Sequence, residues 1–402
     1  MTVSDFAFLP DFPVPLGGLA LFGALLLVGL IGGILARRLW LPAITGYIAV
    51  GMLLGQTGLG FLTPEVLAET RPFIDISLGL ILFDLGRRLD FNWLRKERSL
   101  LFSALSESLL SFVLIYVTLY YFGLPLLFAA IAAAIGIATS PAVVMLITHE
   151  QRAEGQVTER ALNLVAMNSV LAFIVVTMLL SVLHFEYRAS LVAMFLHPLY
   201  LLAGSTLLGM AGGHAAIRLG RWLGKRDDRQ FVMLVGLIIL TVGCAVLLKL
   251  SVLLALLVFG MSAKNLDRHH DLIPVQIVSN GQLFFVVLFV VTGALLDARE
   301  LLTSGGMALA YVAARCAGKT LGVMPWSILS GMSRERSVLL GATLTPMAGY
   351  MVVRLQDVWK IYPELHLQAL SVVISAVVIL EILGPIAVQY ALRRSGEAHT
   401  RN

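Results

Sequence analysis

Long apolar stretches separated by short polar segments make up almost the whole chain. A helix needs roughly 20 apolar residues to cross the hydrocarbon core of a bilayer. Windows of about that length predict roughly thirteen membrane-spanning helices. They cover residues 15–36, 41–62, 72–89, 100–122, 124–147, 160–183, 193–217, 231–249, 250–265, 280–297, 304–331, 336–357 and 366–392. The pattern therefore predicts an all-α polytopic membrane protein.

The positions of the basic residues predict how these helices are oriented. Cytoplasmic loops of membrane proteins are enriched in Lys and Arg. If the N-terminus lies outside, 21 of the 29 Lys and Arg fall in the cytoplasmic loops or the C-terminal tail. Six fall on the opposite side, and two, Arg315 and Lys319, lie inside a helix. This bias supports thirteen spans with the N-terminus outside and the C-terminus in the cytoplasm.

Composition excludes several classes of protein. Apolar residues make up 58% of the chain and charged residues 13%, whereas soluble domains carry roughly 25% charged residues. The net charge of +5 comes from basic residues in short loops, so it does not indicate nucleic-acid binding. Cys244 and Cys316 lie in apolar stretches and His269-His270 lies in a loop, which gives no metal-ligand set. We expect no cofactor, no metal, no soluble regulatory domain and no enzyme site.

Two of the predicted helices are interrupted by proline near their centres. The fifth contains Thr139-Ser140-Pro141, and the twelfth contains Thr345-Pro346. Proline removes a backbone donor and clashes with the preceding turn, so both helices should kink or unwind there. Unpaired backbone groups persist in a membrane only where protein or a water-filled cavity satisfies them. A single such site is most simply an ordinary proline kink.

The pairing of the two interruptions favours a transport site over two separate kinks. They lie seven spans apart and therefore run in opposite directions. In transporters with inverted repeats, crossed discontinuous helices place the binding site at their meeting point near the middle of the membrane. Neutral oxygens would come there from Asn168, Ser169, Thr139, Ser140 and Thr345. The sequence thus predicts an inverted repeat with two crossed discontinuous helices around this site.

Ionisable residues inside the spans are further candidates, because a charge is costly in a membrane. Lys319 keeps its proton only beside a carboxylate, which should then lie within about 4–6 Å. Lys319 is either part of the site or a structural ion pair or snorkelling side chain. Arg315, one turn earlier, fits the role of a structural tie better than Lys319 does. Glu107 and Glu381 are either protonatable carboxylates in the transport path, counter-ions for Lys319 or Arg315, or neutral acids bonded to the backbone.

Several segments, in order along the chain, resemble the monovalent cation:proton antiporters of the Kef and sodium/proton exchanger type. The opening turn, the later loops and the end of the membrane domain all have counterparts in this sequence. The matching segments are ARRLWLPAITGYIAVGMLLGQTGLG, GLILFDLGRRLDFNWLRK, IATSPAVV, RAEGQVTERAL, FFVVLFVVTGALLD, RCAGKTLG and LEILGPIAVQYALRRSGE. The resemblance covers nearly the whole chain and keeps the order of the segments.

The resemblance implies a homodimer in which each chain has two parts. A six-helix core would span about 100–183 and 304–392 and carry the crossed broken helices. A panel would span about 15–89 and 231–297 and make the dimer contact, and residues 193–217 would form a linker helix. The resemblance also implies elevator-like or rocking alternating access in a bacterial-type inner membrane, with a monovalent cation and protons as the transported species.

One position departs from the family pattern. The family's ion site is an Asp-Asp or Asn-Asp pair in the sixth span, and the matching stretch LNLVAMNSVLAF contains Asn168-Ser169. In the family the aspartate binds the cation or the proton but not both, which couples the two fluxes. A serine hydroxyl does not titrate near neutral pH. The usual coupling carboxylate is therefore absent from this chain.

Three functions are consistent with these residues. In the first, the chain exchanges Na⁺ or K⁺ for protons, with Glu107 or Glu381 as the displaced carboxylate and Lys319 tuning it. In the second, it moves another solute, such as an anion attracted by Lys319 and by the N-termini of the half-helices. In the third, it is a non-transporting sensor or scaffold.

Overall fold

The computed structural model describes residues 18–186, 191–225, 227–267, 271–272, 281–296, 299–347 and 367–399. These residues form sixteen helices. Helices α1 to α8 are Gly18–Arg38, Ala43–Leu54, Pro64–Glu69, Arg71–Arg88, Phe91–Lys96, Arg98–Tyr121, Leu126–Ile137 and Pro141–Glu150. Helices α9 to α16 are Gln156–Glu186, Leu191–Leu223, Asp227–Leu247, Val252–Asn265, Gln282–Leu295, Glu300–Leu329, Arg334–Thr343 and Leu367–Arg394.

Each predicted span contains a helix, although the helices differ from the windows in length. The window 124–147 is divided into α7 and α8, as its proline predicts, and α15 ends three residues before Pro346. The remainder of the twelfth window, 348–357, lies outside the described residues, as does the N-terminal segment 1–17. The number of membrane crossings and the inverted repeat therefore stay predictions.

Two six-residue helices, α3 and α5, are not predicted by the hydropathy pattern. Each begins at a side chain that caps it. The Thr63 hydroxyl accepts from the Val66 amide, and the Asp90 carboxylate accepts from the amides of Asn92 and Trp93. Six residues are too few to show a helical repeat of apolar positions, so only the capping residues could have indicated these helices.

The distribution of polar and apolar side chains is that of a multi-pass membrane protein. Six of the described helices, α1, α6, α9, α10, α11 and α16, are long and apolar enough to cross a membrane. Large apolar side chains such as Leu27 and Leu247 are exposed, whereas Glu107, Arg315 and Lys319 are fully buried. An apolar exterior around buried charges suits lipid as the surrounding solvent.

The described helices pack in two groups. In the first, which we call the panel group, α2 lies against α1 and α13, and α12 lies against α4 and α10. In the second, the core group, α14 lies along α6 and also contacts α15 and α16, while α7 packs against α6 and α9. Helix α8 contacts α9 and α16 of the core group and α4 of the panel group. The seam between the groups is formed by α4 against α8 and α9, by α10 against α9, and by α2 against α16.

An ion pair ties the starts of α6 and α9 together inside the core group. The Glu97 carboxylate lies 2.9 Å from Nη2 of Arg160 and accepts a hydrogen bond from the Ser99 hydroxyl. That hydrogen bond and the charge of Arg160 hold the pKa of Glu97 below its ordinary value, against the opposing effect of partial burial. The two helices that carry Glu107 and Asn168 are therefore fixed to each other at one end.

Candidate functional site

The break between α7 and α8 meets the segment that follows α15. Helix α7 ends at Ile137 and α8 begins at Pro141, and the linking residues are extended. Thr139 forms an antiparallel bridge with Met347, and the Ser140 amide donates to the Pro346 carbonyl at 3.0 Å. The predicted unwinding therefore exposes backbone groups that pair with each other across the crossing.

The hydroxyl side chains beside the breaks stabilise this geometry. Oγ of Ser140 accepts a hydrogen bond from the Val143 amide at 3.4 Å and so caps α8. Oγ1 of Thr139 donates to the Leu344 carbonyl at 3.2 Å. Both contacts satisfy groups that the missing helical hydrogen bonds leave open.

Arg315 connects the C-terminal ends of α7 and α15. Its guanidinium donates to the Gly136 and Ala138 carbonyls at 2.9 and 2.8 Å on the α7 side. On the α15 side it donates to the Thr345 and Pro346 carbonyls at 2.5 and 3.2 Å. Helix C-termini carry partial negative charge, so a buried cation between two of them stabilises the crossing. The structural role predicted for Arg315 is confirmed.

Lys319 lies one turn further along α14 and forms a buried ion pair. Its Nζ is 2.6 Å from Oε2 of Glu107, and neither side chain is exposed. The same ammonium donates to the Ile137 carbonyl, the last residue of α7. The predicted carboxylate partner is therefore present, and it is Glu107.

Asn168 and Thr139 complete a network around the Glu107 carboxylate. Nδ2 of Asn168 donates to Oε1 of Glu107 at 3.1 Å and to Oγ1 of Thr139 at 3.0 Å. Oδ1 of Asn168 accepts from the Thr139 amide at 3.3 Å. Glu107 also accepts from the Ser108 hydroxyl at 3.4 Å. One carboxylate is thus shared by an ammonium, an amide and a hydroxyl, all in the protein interior.

Two glycines of α14 bring Lys319 to Glu107. A Cβ on Gly322 would lie 2.3 Å from the Glu107 Cα, and one on Gly318 would lie 2.5 Å from the Ser111 Cα. The Ser106 hydroxyl also donates to the Gly322 carbonyl at 2.6 Å. The four-residue glycine spacing is typical of close contacts between membrane helices. This spacing is visible in the sequence and indicates the α6–α14 contact, which the charged residues alone do not.

Two other predicted site residues lie near the crossing and bond to carbonyls of their own segments. The Ser169 hydroxyl donates to the Val165 carbonyl of its own helix at 2.7 Å, and the Thr345 hydroxyl donates to the Ala342 carbonyl at 2.5 Å. Glu381 is buried in α16. One turn beyond it, a Cβ on Gly384 would lie 2.8 Å from the Cα of Pro346, so α16 passes directly against the second break.

The described part of the chain contains no group of three or more His, Cys, Asp or Glu side chains placed to hold a metal ion. His269 and His270 lie outside the described residues. The network around Glu107 offers carboxylate, amide and hydroxyl oxygens, which suit a hard cation rather than a soft metal.

Comparison with known proteins finds a family match along nearly the whole chain and a much shorter match to an individual relative. The model of a family described as "Sodium/hydrogen exchanger, transmembrane" matches residues 23–393. A Na(+)/H(+) antiporter of Enterococcus hirae is 39% identical over 66 residues, which are 16% of this chain and 17% of that protein. The aligned segment thus spans less than a fifth of that relative's length.

Two solved structures share the fold. The sodium proton antiporter MjNhaP1 from Methanocaldococcus jannaschii at pH 8 superimposes with a TM-score of 0.70 at 18% identity, covering 95% of this chain and 98% of that chain. An electron-microscopy map of the same antiporter gives a TM-score of 0.72 at 18% identity, with 94% and 98% covered. At this identity the likeness is one of fold alone.

Proposed function

Because the chain belongs to the sodium/hydrogen exchanger family, we propose that it exchanges a monovalent cation, Na⁺ or K⁺, for protons. The family is one of transporters rather than enzymes, which agrees with the resemblance seen in the sequence motifs. The observation that carries the proposal is the fully buried pair of Glu107 and Lys319 at the crossing of the interrupted helices. This pair supplies a titratable carboxylate site although the sixth span contains Asn168-Ser169.

Coupling follows from competition for the Glu107 carboxylate. In the structure the Lys319 ammonium occupies it at 2.6 Å. When the Nζ–H bond breaks and the proton passes to water, Lys319 becomes neutral and the carboxylate can accept a monovalent cation instead. The pair plus its cation then carries the same total charge as the original ion pair. One proton therefore leaves for each cation that enters, and the burial of charge is unchanged.

Side-chain oxygens are the proposed cation ligands. Asn168 already lies within hydrogen-bond distance of both Glu107 and Thr139. The backbone carbonyls at the ends of α7 and α15 are not proposed as ligands, because they are bonded to Arg315. Ser140, Ser169 and Thr345 support the helices around the site. Glu381 is a second buried carboxylate, one turn before Gly384, which packs against Pro346.

The proposal also includes the mode of transport, the dimer and the orientation in the membrane that the family resemblance implies. The core group would move against the panel group in elevator-like or rocking alternating access, and the panel groups of two chains would form a homodimer. The basic-residue bias supports an N-terminus outside and a C-terminus in the cytoplasm of a bacterial-type inner membrane.

A second candidate is transport of an anion. Two buried cations, Arg315 and Lys319, lie beside the buried carboxylate of Glu107 in the described part of the crossing. Against this candidate, the Arg315 guanidinium is bonded to four carbonyls and the Lys319 ammonium to a carboxylate. An anion would have to displace one of these contacts.

Proteoliposomes with an internal pH dye test the function. We expect an inward gradient of Na⁺, K⁺ or Li⁺ to raise the internal pH, because protons leave as cations enter. Protein-free liposomes are the control. An anion-dependent flux without any cation-dependent pH change would favour the second candidate. The absence of any flux under every ionic condition would contradict antiport and favour a non-transporting relative.

A further inference from the structure

Glu150, the last residue of α8, reaches from the core group to the panel group. Its Oε1 lies 3.0 Å from Nε of Arg37 at the end of α1. Its two carboxylate oxygens also accept from the Ala43 amide, the first residue of α2, at 3.4 and 3.3 Å. A single side chain thus joins α8 to two panel helices.

The position of Glu150 is not explained by the stability of its own helix. A carboxylate at a helix C-terminus lies at the unfavourable end of the helix dipole. Helix α2, in contrast, begins after Pro42, which supplies no capping hydrogen bond. Glu150 supplies the missing acceptor from another helix, and its negative charge suits the N-terminus of α2.

Helix α8 connects this contact to the candidate transport site. It begins at Pro141, next to the crossing, and ends at Glu150. Ten residues of α-helix make a rod of about 15 Å. A second ion pair spans the seam at the same end of the molecule, with Nη1 of Arg88 on α4 3.6 Å from Oε1 of Glu159 on α9.

We propose that Glu150 is a conformational latch, which holds the core group against the panel group at the end of the molecule that carries Arg37. This inference deepens the proposed function and rests on it, because alternating access requires α8 to shift relative to α2. Each transport cycle then breaks the bonds from Glu150 to Arg37 and to the Ala43 amide and forms them again. The Arg37 side chain is half exposed, so the pair is weak enough to open in every cycle.

Hydrogen–deuterium exchange of the purified full chain in detergent tests the latch without any transport assay. The variants are Glu150→Gln and Glu150→Ala. The matched control is Glu335→Gln, because Glu335 pairs with Arg394 at 2.9 Å wholly inside the core group. We expect Glu150→Ala to speed exchange about five-fold or more, not only in the first turn of α2 but also along the seam in α4 and α8. Exchange confined to the first turn of α2 would reduce Glu150 to a helix cap and overturn the proposal.

Cross-linking tests the same proposal in transport. Arg37→Cys and Glu150→Cys are combined in a chain carrying Cys244→Ser and Cys316→Ser, and joined by a reducible bifunctional thiol reagent. We expect flux to stop in the cross-linked protein and to return on reduction, while a cross-link between Glu335→Cys and Arg394→Cys leaves it unchanged. Full flux with the latch cross-linked would overturn the proposal. Absence of flux in the Cys-free parent would instead contradict the proposed function, and the exchange experiment would still decide the latch.

Discussion

Replacing Glu107 by glutamine is expected to abolish cation-dependent proton flux. The amide keeps the size of the side chain and can still contact Asn168, but it carries no charge for Lys319 or for a cation. Lys319, fully buried beside it, then loses its counter-ion, and an unpaired buried ammonium gives up its proton. In proteoliposomes with an internal pH dye, we expect flux to fall at least about 100-fold. This corresponds to a rise of about 2.7 kcal/mol in the activation free energy of transport.

Three control variants make this result specific. Glu107→Asp keeps the carboxylate and should retain part of the flux. Glu335→Gln removes an exposed acid of the core group and should leave flux unchanged. Glu381→Gln separates the two buried carboxylates: flux lost in this variant but kept in Glu107→Gln would move the coupling site to Glu381 and contradict our assignment.

Replacing Arg315 by glutamine is expected to give the largest loss of stability. The guanidinium is fully buried and satisfies four carbonyls at the ends of α7 and α15. Each buried acceptor left open costs about 1–3 kcal/mol, and the partial negative charges of the two helix ends then face each other. We expect the thermal unfolding midpoint of the detergent-solubilised protein to fall by roughly 5–10 °C.

Two further substitutions serve as controls for the expected fall in the unfolding midpoint. Arg315→Lys keeps the positive charge but reaches fewer carbonyls, so its midpoint should lie between those of the wild type and of Arg315→Gln. Arg394→Gln removes an exposed arginine and should shift the midpoint little. If Arg315→Gln unfolds at the wild-type temperature, Arg315 does not hold the crossing together.

The sequence contains enough information to predict the interrupted helices and the buried ion pair. Proline cannot continue a helix, which places the breaks at Pro141 and Pro346. A buried lysine needs a carboxylate, and Glu107 is one of two acidic residues well inside the spans flanking the breaks. Both predictions depend on the high cost of unsatisfied polar groups in a membrane. The break at Pro141 and the Lys319–Glu107 pair are present in the described residues. The second interruption stays a prediction, because α15 ends before Pro346 and the residues after Met347 lie outside the described ones.

Local hydrogen bonding limits what sequence predicts about the hydroxyl side chains. Serine and threonine in a helix readily bond to the carbonyl three or four residues earlier. Ser169 and Thr345 do so, although they belong to the predicted oxygen set. Thr139 lies in the extended break and has no such local acceptor, so its hydroxyl reaches across to Leu344.

Contacts between distant segments are hidden for a different reason. Glu150 ends a helix next to a polar loop, where an acidic side chain is most often solvated. Its partner at the start of α2 lies 107 residues away. Only the packing of the two helix groups brings these residues together, and hydropathy carries no information about that packing.

Proton release on cation binding tests the central claim most directly. Purified protein in weakly buffered detergent solution is mixed with NaCl, with KCl, or with the chloride salt of a large organic cation as the control. The change in pH is recorded. The account predicts the release of one proton for each inorganic cation bound, and no release from Glu107→Gln or Lys319→Gln. Cation binding without proton release, or equal release from Glu107→Gln, would contradict competition between the Lys319 ammonium and the cation for one carboxylate.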